Sequence, residues 1–220
     1  MPDIRAFPEY FISYEWNGKH ALYGYPSDTF SQFEWILSLE KRFSWLRENC
    51  KSSRTSSLYL IREMIQWGGS QNGVLQKFDD RLGEVNLVLA IEGTISKIND
   101  PTQAIQSALA IPGMGLTYAS KMLRFFDPNK YGALDSRVRS ALTKHVSDAG
   151  IPKKIHDGNA VSMTNGYVAF VRYLESLQKA LESDRVNRPP CSLPKGPGET
   201  GWRAADIEMA LFCWAARDEP

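Results

Sequence analysis

The segment from Asp100 to Arg139 is punctuated more tightly than any other part of the chain. Asp100-Pro101 reads as an N-cap followed by proline at the first helical position, where its missing N–H costs nothing, and it starts a short helix through Ala110. Ile111-Pro112-Gly113-Met114-Gly115 then forces a turn, and Leu116 to Phe126 resumes helical spacing. Asp127-Pro128 stops that helix, because the residue before a proline is driven out of the α region. Asp135 is placed to cap a third helix beginning at Ser136. Two short helices joined by a glycine turn, with a third close behind, make this part of the chain helical.

The flanks read largely the same way. Phe30, Phe33, Ile36, Leu37 and Leu39 recur near a period of 3.6, so a helix over about 28–47 is expected, capped by Asp28. A polar linker, Lys51 to Ser57, precedes a helix that buries Leu58, Ile61 and Ile65 and ends at Gly68-Gly69. Further helices are expected from Gly73 to Arg81 and from Thr164 to Leu181, and the apolar stretch Val85 to Ile98 fits helix or strand, with helix favoured. Asn187 to Gly201 carries Pro189, Pro190, Pro194 and Pro197 and reads as an extended connector that packs as no element. A last helix from about Trp202 returns to the core through Ile207, Ala210, Leu211 and Trp214. Only Phe7 to Tyr25, aromatic and holding Gly18 and Gly24, suggests a short strand or two or an irregular cover.

Composition narrows the class. A chain of 220 residues with 43% hydrophobic side chains can build a core without staples, and its charge is too balanced for disorder. No apolar run approaches the roughly 18 residues of a membrane span, and Met1 to Arg5 open no secretion signal. The expectation from composition is an intracellular protein. Cys50, Cys191 and Cys213 are far apart and His20, His145 and His156 are scattered, so no metal site is expected.

The turn has chemistry of its own. Glycines at 113 and 115 permit positive backbone dihedrals and leave no side chain over the turn, so amides there can approach a phosphate. The next helix starts at the same point, and its N-terminal dipole favours an anion. Between Gly113 and Ile155 eight basic residues stand against three acidic ones, a local +5 on a chain whose overall charge is +1, which leaves −4 for the remainder. A locally basic segment on a near-neutral chain suits local phosphate contact and not nonspecific coating of DNA.

Over about residues 100–142, Ile111-Pro112-Gly113-Met114-Gly115 and Leu134-Asp135-Ser136-Arg137-Val138 resemble the helix-hairpin-helix DNA glycosylase superfamily, which includes endonuclease III, the adenine mismatch glycosylase and the 8-oxoguanine glycosylases. The resemblance implies a mainly α fold of two helical lobes around a cleft, within one unit spanning 1–220. The hairpin lobe would cover about 73–155, with 1–72 and 156–220 forming the other. It implies double-stranded DNA as partner, a monomer in a cytoplasmic, nucleoid-associated or nuclear location, and a function in base-excision repair: hydrolysis of the N-glycosidic bond of a modified or mispaired base. It also implies a monovalent cation on the hairpin backbone in DNA complexes, and otherwise no cofactor, since the four clustered cysteines of iron–sulfur relatives are missing. Bifunctional members carry a Schiff-base lysine where this chain has Thr117, so the chain is similar to a divergent, monofunctional member without lyase activity.

Candidate residues follow. Asp135 is the candidate catalytic carboxylate, either stabilising an oxocarbenium-like sugar or orienting water, beside its simpler role as a helix cap. Gly113, Met114, Gly115, Thr117, Lys121, Arg124 and Arg137 are the candidate DNA-binding residues, with Thr117, Lys121 and Arg124 on one helical face. Lys121 is also a candidate displaced nucleophile. A flipped base needs apolar walls and polar probes, for which Trp67, Gln71 and Trp202 are the candidates, each set against an ordinary structural role. Two other classes stay open: a noncatalytic DNA-binding module that keeps the hairpin, and a helical interaction protein in which the glycines only make a turn.

Overall fold

The computed structural model describes residues 2–16, 18–49, 54–146 and 150–217. Besides short 3-10 turns, the described residues form ten α-helices and one two-stranded ribbon: α1 Phe7–Ile12, β1 Glu15–Trp16, β2 Asp28–Thr29, α2 Glu34–Asn49, α3 Arg54–Trp67, α4 Val74–Arg81, α5 Leu87–Ser96, α6 Pro101–Leu109, α7 Leu116–Phe126, α8 Ser136–His145, α9 Ala160–Ser183 and α10 Ala204–Arg217. The mainly α class is met. The aromatic N-terminal stretch combines a helix with two-residue strands paired antiparallel, Glu15 opposite Thr29 and Trp16 opposite Asp28.

The central caps stand as the sequence places them. Asp100 accepts from the amides of Thr102 and Gln103, and Asp135 accepts from Val138 N at 2.9 Å. Asp28 behaves differently. Ser31 and Phe33 hold positive φ (75° and 39°), which no helix tolerates, so α2 starts only at Glu34 and not at 28. Asp28 nevertheless caps it from the ribbon, its Oδ1 accepting from Trp35 N and Ile36 N at 3.0 and 3.2 Å. Phe30 and Phe33 follow apolar spacing because they pack on Phe11, not because they are helical. Residues 54–57 of the expected linker belong to α3, and 50–53 lie outside the described residues.

The long connector is a further correction. It has no regular structure, yet it packs: Arg188 and Leu193 are buried, Arg188 N donates to Thr200 O, and Gly196 N donates to Gly201 O. Arg188 also donates to Asp206 Oδ2 at 3.0 Å. Its prolines remove donors and conformational freedom without preventing burial.

The core is one continuous apolar cluster in which α7 is the central rod. Every residue of α7 from Tyr118 to Phe126 is buried, against α2, α3, α6 and α9. Around its C-terminal half runs a buried ionic network. Arg203 grips Glu40 (Nη1–Oε2 2.7 Å) and Asp206 (Nη2–Oδ1 2.7 Å), joining α2 to the start of α10. No helix is long and apolar enough to cross a membrane.

Candidate active site

A cleft of about 860 Å³ opens at the hairpin. One wall is the turn from Ile111 to Leu116, with Thr117, Tyr118 and Lys121 of α7 behind it. Asp135 and Arg137 at the start of α8 and Phe212 of α10 line the cleft too. Trp16 of β1 and Gly68, Gln71 and Asn72 complete this part of the lining.

The two hairpin glycines do different work. Gly113 has φ +77°, and a Cβ there would stand 2.7 Å from the backbone nitrogen of Phe78, so it is needed for a close approach to α4. Gly115 has φ −74° and ψ −179°, ordinary extended backbone, and a Cβ there would meet open space. The expectation of positive dihedrals therefore holds at 113 alone. Gly115 is the exposed one and caps the N-terminus of α7 without a side chain, and Gly115, Leu116 and Thr117 all line the cleft. Met114 lines the cleft while nearly buried.

Lys121 is the unusual group. It is 6% exposed, yet it lines the cleft, and its Nζ stands 5.5, 5.3 and 5.3 Å from the ring centroids of Trp16, Trp67 and Tyr118. Its hydrogen bond goes to Gly68 O at 3.3 Å. The rings favour the ammonium through their negative faces, while burial opposes it more strongly and pulls the amine below the usual lysine value. Asp135 and Glu208 act the other way. Gly68 is part of the cage, since a Cβ there would lie 2.8 Å from Tyr118 Cε1 and 3.0 Å from Lys121 Nζ. Tyr118 ties the loop to α7, its hydroxyl donating to Gly68 O (3.3 Å) and accepting from Gln71 N (3.1 Å).

Asp135 ends a segment that side-chain hydrogen bonds tie to several parts of the fold. Tyr131 Oη donates to Ile98 O (2.5 Å), Tyr167 Oη of α9 donates to Gly132 O (3.0 Å), and Leu134 N donates to Ser120 Oγ of α7 (2.9 Å). Asp135 thus enters the cleft half-buried with its backbone fixed, one oxygen on Val138 N.

Three expected site residues lie elsewhere. Arg124 is fully buried, its guanidinium 3.5 Å from Glu40 Oε1, 3.9 Å from Glu208 Oε2 and 4.5 Å over the Phe125 ring, so it cannot reach phosphate. The expected polar face of α7 ends at Lys121, because the rod is enclosed on all sides beyond it. Trp202 is in the core, with edge contacts to Phe7 and Phe11 and Nε1 donating to Val186 O. Trp67 stands one layer behind the cleft wall, its Nε1 held by Asp28 Oδ2 at 3.0 Å. Gln71 and Arg137 do line the cleft, Arg137 lying 4.6 Å over the Phe212 ring.

Trp16, Tyr118, Phe212 and Arg139 are cleft residues that sequence reasoning did not single out. Tyr118 had a signal in its place beside the hairpin. Trp16 and Phe212 had none, being brought in from opposite ends of the chain. Among the described residues no three His, Cys, Asp or Glu side chains converge as a metal site would require. No family model matches the chain, and no curated protein or solved structure matches it.

Proposed function

We propose that this protein is a DNA N-glycosylase that hydrolyses the N-glycosidic bond of a modified or mispaired base. The observation that carries the reading is that the bare helix start at Gly115 and the carboxylate of Asp135 open into one cleft walled by Trp16, Tyr118 and Phe212. In this reading the α7 amides and Arg137 take backbone phosphates of double-stranded DNA. The aromatic walls receive the extruded base. Asp135 supplies negative charge beside the anomeric carbon as the base departs and orients the attacking water. The protein works as a monomer, with no cofactor beyond a monovalent cation at the hairpin carbonyls.

A panel of duplexes, each with one lesion or mismatch, followed by alkaline cleavage of abasic sites, tests this. Base release by the wild type is expected on at least one duplex, with Asp135→Asn slower by about 100-fold or more at unchanged affinity. Salt-dependent binding without release on any duplex would leave the noncatalytic DNA-binding module, and no duplex binding at all would leave the helical interaction protein.

The position of Lys121 favours a second reading. A buried amine with lowered basicity in the same cleft as Asp135 suits attack on the C1′ aldehyde of the abasic sugar. Loss of water would give an imine, and β-elimination would then expel the 3′ phosphate. Thr117, which also lines the cleft, has no such chemistry. Borohydride would trap the imine as a covalent protein–DNA adduct. An adduct formed by wild type and absent in Lys121→Met supports lyase chemistry; no adduct leaves the hydrolytic reading alone.

A further inference from the structure

Among the described residues, the lining of the cleft holds four cations, Arg81, Lys121, Arg137 and Arg139, against three carboxylates, Glu84, Asp135 and Asp157. For a cleft that takes a polyanion this is close to balance, and two of the carboxylates sit directly on arginines. Glu84 holds Arg81 through hydrogen bonds of 2.9 and 2.8 Å, a local pair three residues apart at the end of α4. Asp157 holds Arg139 in the same forked way, Nη1 donating to Oδ1 at 3.0 Å and Nη2 to Oδ2 at 3.4 Å, but from 18 residues further on, in the turn before α9. That second pair is made by the fold and not by the local chain.

Arg139 also has neighbours suited to an anion. Ser136, Arg139 and Ser140 of α8 all line the cleft, with Arg139 and Ser140 at i+3 and i+4 from Ser136 and hence on one helical face. A guanidinium fork with hydroxyl donors beside it matches the oxygens of a phosphate group. Asp157 offers the fork the same two-oxygen edge that a phosphodiester would, and occupies it. The side chain of Arg139 is 26% exposed and that of Asp157 69%, so the carboxylate can turn into water while the arginine stays at the cleft. An exposed pair of this kind adds little to stability. Its effect falls on what else can bind the guanidinium.

We propose that Arg139, with the hydroxyls of Ser136 and Ser140, is a phosphodiester-binding site of this cleft and that Asp157 is its built-in competitor. The identity of the ligand rests on the DNA reading of the cleft, but the release of Arg139 from Asp157 by an anion does not. In the free protein the carboxylate neutralises the guanidinium. A backbone phosphate takes its place on the same two N–H groups, and Asp157 turns outward. Because that contact must displace the carboxylate, duplex DNA is held less tightly than the charge of Arg139 alone would hold it, in keeping with a chain whose net charge is only +1.

The test is a double-mutant cycle read by fluorescence anisotropy on one labelled duplex across a series of salt concentrations, with wild type, Asp157→Asn, Arg139→Gln and the double variant. Both residues reach solvent, and each substitution removes charge while keeping a polar side chain. Asp157→Asn is expected to tighten binding by about three- to tenfold at low salt. Arg139→Gln should weaken it by a similar factor and lower the slope of log affinity against log salt by about one. In the Arg139→Gln background, Asp157→Asn should change affinity by less than about twofold, because the carboxylate then has no guanidinium to mask. The same tightening in both backgrounds, or an unchanged salt slope in Arg139→Gln, overturns the proposal. Should wild type bind no duplex, the DNA reading fails and inorganic phosphate decides the site. A shift of the Arg139 guanidinium NMR resonance that saturates at lower phosphate in Asp157→Asn than in wild type then sustains the proposal, and no shift in either protein overturns it.

Discussion

Lys121 shows how far one residue's behaviour depends on what surrounds it. From sequence Lys121 is a candidate phosphate contact or displaced nucleophile on an open helix face, yet three rings and a backbone carbonyl enclose it. The enclosure is made possible by a glycine in another helix's C-terminal turn. Gly68→Ala brings a methyl to 2.8 Å from Tyr118 and 3.0 Å from the amine, and both are side-chain atoms able to shift. The expected cost is about 1–2 kcal/mol in a urea melt. The larger effect falls on the amine, which leaves its cage, so any borohydride adduct formed by wild type should fall about tenfold or more in this variant. An unchanged adduct would show that the cage does not set the reactivity of Lys121.

At the scale of elements, the hairpin separates two roles that its pattern presents as one. Gly113→Ala imposes a positive φ on alanine and drives its methyl into the backbone of α4, which cannot move as a side chain can. A loss of about 2–4 kcal/mol is expected in thermal or denaturant unfolding. Gly115→Ala meets no atom and adopts an ordinary conformation, so stability should change by less than about 1 kcal/mol. Its methyl, however, stands over the start of α7, so under the proposed glycosylase reading duplex affinity should fall several-fold in a titration at low salt. Equal stability losses in the two variants would contradict this division. The same local physics explains why α6, α7 and α8 were legible: Asp100, Pro101, Gly115 and Asp135 act within a few residues of where they stand. The start of α2 was not, because Ser31 and Phe33 take left-handed backbone only to serve an aromatic cluster with Phe11.

The whole molecule is organised around charges that it buries. Arg203, Asp206, Glu40 and Arg188 form an ionic chain that ties α2 and the irregular 187–203 segment to α10. Removing Arg203 leaves Asp206 with Arg188 alone and Glu40 with the more distant Arg124, both buried, so Arg203→Ala should cost about 3–5 kcal/mol in denaturant unfolding. A loss under about 1 kcal/mol would mean that the network is solvated on opening and holds little. Glu208 gives the fold a pH dependence of definite sign. Its ordinary value is 4.5 and its folded value about 8, so the folded chain holds a proton that the unfolded chain has released between these limits. Its stabilising contribution is complete below 4.5 and is lost as pH rises through 8, at up to about 1.4 kcal/mol per pH unit. Wild type should therefore lose more stability than Glu208→Gln between about pH 6 and about pH 9, measured by urea melts. Parallel losses would place the Glu208 proton elsewhere.

What the sequence by itself determined is the part of the molecule governed by neighbours in the chain: the starts of α6, α7 and α8, the turn between α6 and α7, and Asp135 as a cap at a helix start. These depend on φ and ψ preferences and on hydrogen bonds spanning two or three residues, which one-dimensional text carries. Only the tertiary structure decided that Arg124 is sealed in the core, that Trp202 packs on Phe7 and Phe11, and that Trp16 and Phe212 complete the cleft in their stead. Arginine and tryptophan each combine a long apolar body with a polar tip, so either is stable inside or outside according to the partners it meets. Those partners lie on elements distant in sequence, and burial is settled by their arrangement in space.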